Sequence, residues 1–543
     1  MFSSAQLLLF VASVALPTSN AASCKPLVVF LPFKSTVLVS KAQTRGIQWQ
    51  VGGPSAQTLA LLPSATYNDS YIYGGDGLCP ADFSSPEMKP KCTTYRGGIY
   101  SIEQSQTEQS EQTILRVADQ ANANWTKDKV VLKNTVNNNI ELDLFEFGIR
   151  VGSSQPYVNK GEIGLGVNSS FLEALASGQQ IASRTYSFFW GTDSTISSSP
   201  RDGSLTLGGY DQALFNDSVN TTTTFTGNQA NCREGMIVDL TGLVLQSKEV
   251  GTQNILNGTE KLRACVVPTL SSVLMLPESY WKSMASIMGV ETFPGNNGTS
   301  NELLYGVAAV KPRSANFTGN LSISINNAIT VTVPNKRLII DEPYISVKEG
   351  KIESNSSVKV IPIAKFTDTK TNDMPRIGGM FFSEAVLTVN HDKNEFTISP
   401  ANDTPIGQKL MGIDSANGCI AAVDGGATTA PEAPKTSDTP RKPARLSGGA
   451  IAGIVVGVVS ALLIIAGVAY KLWEKKEPTS RTAELNNAQS RALVSEKYGF
   501  NTSEMYAGQR LAEVASHERD YVVELDGSER PLEAPAHEGA QRR

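Results

Sequence analysis

One uncharged apolar run, Gly449–Tyr470, divides this chain and limits what the rest of it can become. Its length matches the ~20 residues a helix needs to cross a hydrocarbon core about 30 Å thick. Polar sequence continues from Lys471 to Arg543, so the run is not the hydrophobic tail of a cleaved lipid-anchor signal. Lys471, Lys475 and Lys476 follow it, but Arg441, Lys442 and Arg445 precede it, so flanking charge does not fix the orientation. The N-terminus does. Leu7–Leu16 is apolar and is followed by the small residues Ser19, Ala21 and Ala22, the pattern of a cleaved secretory signal. The expected organisation is a signal peptide (1–21), an exterior domain (24–423), a stalk (424–447), one transmembrane helix (449–470) and a cytoplasmic tail (471–543). This is a type I arrangement in the plasma membrane or another membrane of the secretory pathway. Gly449, Gly453 and Gly457 have a spacing that can pair two such helices, although glycine is common in membrane spans in any case.

The exterior domain is written for an oxidising, glycosylating compartment. Eleven Asn-X-Ser/Thr sequons precede the membrane, at Asn68, Asn124, Asn168, Asn216, Asn220, Asn257, Asn297, Asn316, Asn320, Asn355 and Asn402. Asn501 carries the motif on the cytoplasmic side and should stay bare. All six cysteines are exterior: Cys24, Cys79, Cys92, Cys232, Cys265 and Cys419. An even count there implies three disulfides, whose pairing spacing alone does not determine. Short separation favours Cys79–Cys92. Cys232–Cys265 would then tie two segments of the second half, and Cys24–Cys419 would join the ends of the domain. The spacing does not fit a zinc site, and neither metal nor cofactor is expected. A net charge of −5 with no basic stripe argues against nucleic acid as a partner.

Between the ends, short runs of alternating Val, Ile, Leu and Thr are punctuated by Gly, Asn and Asp, which predicts a mainly β domain. Lys129–Leu132, Ser204–Leu207, Leu321–Ile325 and Glu395–Ile398 read as strands, and Ser170–Ser177 and Glu278–Met288 as helices. Asp424–Ser447 is rich in Ala, Thr, Pro and Lys with almost no large apolar residue, as in a stalk. The tail after Trp473 is charged and is expected to be disordered, with Tyr498, Tyr506 and Tyr521 available for phosphorylation and cytoplasmic partners.

Six landmarks between residues 45 and 400 occur in an order that resembles the pepsin-like aspartic peptidase family. Val51-Gly52-Gly53-Pro54-Ser55-Ala56-Gln57 is similar to the Gly-Thr-Pro-Pro-Gln strand, and Leu61-Leu62-Pro63-Ser64-Ala65-Thr66 to the first active-site segment. Gly161-Glu162-Ile163-Gly164-Leu165-Gly166 and Asp202-Gly203-Ser204-Leu205-Thr206-Leu207-Gly208-Gly209 come next in the family's order. Val267-Pro268-Thr269-Leu270-Ser271-Ser272 is similar to the second active-site segment, and Ile377-Gly378-Gly379-Met380-Phe381-Phe382 to the closing one. The whole layout resembles membrane-attached fungal members. The resemblance implies a bilobal acid-protease fold, with lobe one at residues 45–220 and lobe two at 230–415.

Family chemistry needs two facing carboxylates that share one proton and activate a water. On this alignment the acids fall at Pro63 and Pro268, and the glycines that follow each Asp-Thr pair fall at Ala65 and Leu270. Proline brings neither a carboxylate nor a backbone N–H. The degenerate positions are thus Pro63, Ser64, Ala65 and Thr66, matched by Pro268, Thr269, Leu270 and Ser271, with Tyr67 and Ser272 placed to touch a ligand in the cleft. A flap hairpin would fall near residues 115–135, where no Tyr-Gly occurs, so it looks shortened or absent. Asp239 reads as part of a strand before the second site, and Asp69 as exposed. His391, the only exterior histidine, reads as a turn or surface residue, which leaves no Ser/His/Asp triad. The resemblance therefore implies a catalytically inactive surface glycoprotein that binds an extended peptide or a wall glycan. The competing expectations are an active membrane-anchored endopeptidase whose acids lie elsewhere, and a structural or adhesive coat protein.

Overall fold

A computed structural model of the chain describes residues 24–423 apart from 76–87, 111–122, 135–138, 151–159, 193–200, 217–218, 228, 230, 292–302, 305–306, 311–315, 368–372 and 406. The expected signal peptide, stalk, membrane span and tail lie outside the described residues, as do Cys79 and Asn297. Among the described residues no helix is long and apolar enough to cross a membrane.

The first half runs through β1 (Val29–Val37), β2 (Gln43–Val51), β3 (Gln57–Ser64), β4 (Tyr71–Tyr73) and α1 (Lys89–Tyr95). It continues with β5 (Ala123–Leu132), β6 (Ile140–Arg150), β7 (Glu162–Gly164) and α2 (Ser170–Ser177). β8 (Thr185–Phe189), β9 (Gly203–Leu207), β10 (Gly209–Asp211) and β11 (Thr221–Thr224) complete it. The second half opens with β12 (Ile237–Ser247), β13 (Gly251–Asn254), β14 (Leu262–Val267), β15 (Leu274–Pro277), α3 (Glu278–Met288) and β16 (Val307–Val310). β17 (Asn320–Ile325), β18 (Ile329–Val333), α4 (Asn335–Leu338), β19 (Ile340–Ile345) and β20 (Ile352–Phe366) follow. β21 (Arg376–Gly378), β22 (Ala385–Asn390), β23 (Glu395–Pro400), β24 (Leu410–Asp414) and β25 (Cys419–Ala422) end the described chain.

The mainly β expectation holds, and both predicted helices appear with the expected bounds. α2 starts where Ser169 caps it, its Oγ accepting from Leu172 N at 3.0 Å. α3 stops at Gly289, whose φ of 63° is the left-handed conformation that glycine adopts at little cost. The period-2 pattern is read directly by β17 and β18. Leu321, Ile323 and Ile325 are buried opposite Val333, Val331 and Ile329. The residues between them point outward, where Ser322–Thr332 and Ser324–Thr330 hydroxyls meet at 3.1 and 2.9 Å.

Among the described residues the strands form three sheets. The largest has the order β11-β23-β22-β8-β9-β1-β2-β3-β7-β4-β6-β5. A second follows β16-β20-β15-β21-β14-β12-β17-β18, with β13 on β12 and β19 on β20, and a three-stranded sheet is β10-β24-β25. The sheets do not follow a cut near residue 225. β22 and β23, late in sequence, join the first sheet beside β8 and β11, and β1, which lies before residue 45, sits near its middle. An aromatic core anchors this sheet: Trp49, fully buried, packs 5.9 Å from Phe145 and 5.4 Å from Phe171.

One arrangement occurs twice. β3 pairs parallel with β7, while β4 pairs antiparallel with β7 and parallel with β6. β14 pairs parallel with β21, while β15 pairs antiparallel with β21 and parallel with β20. The orders β2-β3-β7-β4-β6-β5 and β12-β14-β21-β15-β20-β16 are therefore equivalent.

Candidate functional site

The duplication matches residues of the two halves one by one. Leu62 N donates to Gly161 O at 2.9 Å, and Cys265 N donates to Pro375 O at 2.8 Å. Gly164 N donates to Ser70 Oγ at 3.1 Å, and Gly378 N to Val273 O at 2.9 Å. One shift takes Gly161 to Pro375 and Gly164 to Gly378; another takes Leu62 to Cys265 and Ser70 to Val273, and this second shift also aligns the starts of β4 and β15. It matches Ala65 with Pro268, Thr66 with Thr269, and Tyr67 with Leu270. Pro63 corresponds instead to Val266. The two apolar-apolar-proline runs look alike in sequence, but their prolines sit at different depths. The β3–β7 ladder runs through Pro63 to Ser64, whereas the β14–β21 ladder stops at Val267, one residue before Pro268. The equivalent positions thus hold an alanine and a proline.

Pro63 and Ser64 are buried, Ala65 and Thr66 half-buried, and Tyr67 buried. In the second segment Pro268, Thr269, Leu270 and Ser272 are buried and Ser271 is half-buried. Tyr67 packs 5.2 Å from Tyr71 in a small cluster with Ala123 and Trp125. Ser272 Oγ is buried with no hydrogen-bond partner among the described residues. A side chain at Gly379, next to the second segment, would meet Trp190 at 2.3 Å and Pro268 O at 2.4 Å, so that wall is filled.

The halves are joined by a residue that sequence reading did not single out. Thr66 Oγ1 donates to Glu234 Oε1, and Glu234 Oε2 lies 3.2 Å from Cys265 Sγ, on the strand leading to Pro268. Cys265 is bonded to Cys232, so the disulfide holds the Glu234 loop against β14. Those sulfurs, being joined to each other, are not available as thiolate metal ligands. The other expected disulfide, Cys24–Cys419, is also present. Cys92 is disulfide-bonded, and its expected partner Cys79 lies outside the described residues.

A second carboxylate, Glu162, lies on β7 beside β3 and forms an ion pair with Arg150 at the end of β6, with side chains only 1% and 4% exposed. The Arg150 guanidinium also stands 5.3 and 5.1 Å from the ring centres of Tyr67 and Tyr71. Burial lifts the Glu162 carboxyl above its ordinary range; Arg150 pulls it down, and Glu234 adds to the lift. Glu162 and Glu234 are nevertheless not a matched pair. The position equivalent to Glu162 in the second half is Arg376. Glu162 is sealed by arginine, and Glu234 is held by a hydroxyl of the opposite half. The sequence signal for Glu162 was an acid among apolar neighbours in Gly161-Glu162-Ile163; Glu234 left none.

The expected flap position is partly described. Gln109 and Lys127 form a bridge, with Gln109 N donating to Lys127 O at 2.8 Å, and the residues between 110 and 123 lie outside the described residues. Asp239 is on β12, as expected, and faces Lys261 at 3.6 Å. Asp69 is half-buried rather than exposed. His391 occupies the expected turn but is buried, which corrects the surface reading. Its Nε2–H donates to Leu165 O at 2.9 Å, its ring stacks on Phe225, and buried Nδ1 has no partner among the described residues. Burial pushes this imidazole below its ordinary value, against the Leu165 carbonyl; Arg184 and Asp392 are the charged groups near it.

A lowered folded-state value means that the unfolded chain takes up the proton first. Stability present above pH ~6.5 is then lost as pH falls below it, at up to about 1.4 kcal/mol per pH unit. His391→Gln is expected to flatten this acid limb between pH ~6.5 and ~5, as measured by urea unfolding at each pH. Equal slopes for the two proteins would refute a neutral buried imidazole.

Compared with known proteins, the chain matches no family model and no curated protein sequence.

Proposed function

We propose that the exterior domain is a bilobal, pepsin-like domain that no longer cuts, and that it binds an extended peptide or a wall glycan between its halves at the surface of a membrane. The observation that carries this reading is the pair of equivalent positions, Ala65 and Pro268, each followed by threonine as in the family's Asp-Thr and each lacking an acid. The duplicated β3–β7 and β14–β21 ladders support the bilobal assignment. A water between two such positions would have no base to take its proton and no acid to protonate a leaving group. Binding has no such requirement, because strand pairing and side-chain pockets recognise an extended ligand without ionisable groups.

The exterior compartment is supported by the sequon positions. None of the ten described sequon asparagines is buried, and Asn168, Asn216, Asn220, Asn257, Asn316 and Asn320 are exposed. A single membrane span, a stalk and a tail with cytoplasmic partners complete the proposal. Peptide and wall-glycan arrays probed with the full-length protein test the binding step. The expected result is a defined ligand set whose retention falls about tenfold or more in Thr66→Val, which unhooks Glu234. An array signal that Thr66→Val leaves unchanged would place binding elsewhere, as in a coat protein.

A further inference from the structure

The outward face of β22 and β23 forms one wall of a cavity of about 280 Å³, near the small end of ligand-sized sites. Leu387, Val389, Phe396 and Ile398 point into the core, so Thr388, Asn390, Glu395 and Thr397 must point the other way, into this groove. The same groove is lined by Tyr210 and Phe215, whose rings meet edge to face at 5.3 Å. Hydroxyl, amide and carboxylate groups sharing a groove with an aromatic pair suit a sugar, which has both hydroxyls and apolar C–H faces. The groove lies against the three-stranded sheet that the Cys24–Cys419 disulfide anchors.

Asn220 lines the same groove, is exposed, and opens a complete sequon with Thr221 and Thr222. Thr222 Oγ1 sits 2.9 Å from Thr397 Oγ1, which fixes the sequon beside the polar wall. We propose that the groove is the seat of this chain's own N-glycan, carried on Asn220. The inference rests on the secretory compartment proposed above, but on no property of the cleft. The modification uses a lipid-linked diphosphate oligosaccharide as donor. The Asn220 carboxamide nitrogen bonds to the anomeric carbon, the carbon–oxygen bond to the diphosphate breaks, and the amide proton leaves with it. A tethered sugar is present at an effective concentration of the order of millimolar, so weak contacts with Tyr210 and Phe215 hold it down. Seated there, it covers the back of the sheet and stabilises the folded state, as any ligand selective for that state does.

The test uses the full-length protein from a eukaryotic secretory host. Native digestion with an endoglycosidase, followed by site-resolved mass spectrometry, should release the Asn220 glycan about tenfold more slowly than the one on Asn257. Denaturation should make the rates equal, and Phe215→Ala or Tyr210→Ala, each checked for folding by its melting curve, should do so without denaturation. Asn220→Gln should lower Tm, whereas Asn257→Gln should not. An unmodified Asn220, equal native release rates, or a Tm effect confined to Asn216→Gln would overturn the seat. Glycans absent from every sequon would overturn the compartment as well.

Discussion

Arg150→Met is expected to lower the unfolding free energy by about 3–5 kcal/mol, because it leaves the Glu162 carboxyl buried without its partner. Both side chains are almost fully removed from water. Neither can recover hydration once the other is gone, since Tyr67, Tyr71 and Tyr73 enclose the guanidinium. Glu162→Gln should be costly for the converse reason. The double variant Arg150→Met with Glu162→Leu separates the charge from its surroundings: it should regain most of the loss, because apolar pairs replace buried ion pairs at little cost. Chemical denaturation of the four proteins checks this. A double variant as unstable as either single one would show that the position, not the unpaired charge, is what matters.

Removing the Cys24–Cys419 disulfide with paired serines is expected to cost about 2–5 kcal/mol. The bond closes a loop with a sequence separation of 395, and it is the covalent tie between the N-terminal segment and β25. Lys25 N also donates to Asp414 Oδ2 at 3.1 Å, so loss of the tie should loosen β24 and β25 together. Hydrogen exchange should register this as the largest acceleration in β24–β25, beyond the increase that lower global stability brings to β17–β18. Uniformly faster exchange would mean that the bond stabilises the whole domain rather than this edge.

The local structure was legible where one period dominates. β17 and β23 follow their alternation, and α2 and α3 follow their caps, because each uses signals within a few residues. Long-range register was not legible. Two runs ending in proline invite superposition, yet the ladders place Pro63 inside a strand and Pro268 beyond one. Nothing local distinguishes them; the partner strands β7 and β21 do. Glu234 was hidden for the same reason, since its partner Thr66 is 168 residues away in sequence. His391 was misjudged because a turn usually faces water, whereas this one is folded under Phe225 and bonded to Leu165.

The matched positions at the junction of the halves, Ala65 and Pro268, carry no acid pair, and from this no proteolysis is expected. Incubating the purified full-length protein with a denatured protein substrate across acidic pH, with and without pepstatin, tests it most directly. No cleavage above a blank is expected at any pH, and no change with pepstatin. Pepstatin-sensitive cleavage that Glu234→Gln or Glu162→Gln abolishes would contradict it, by showing that the acids had moved rather than vanished.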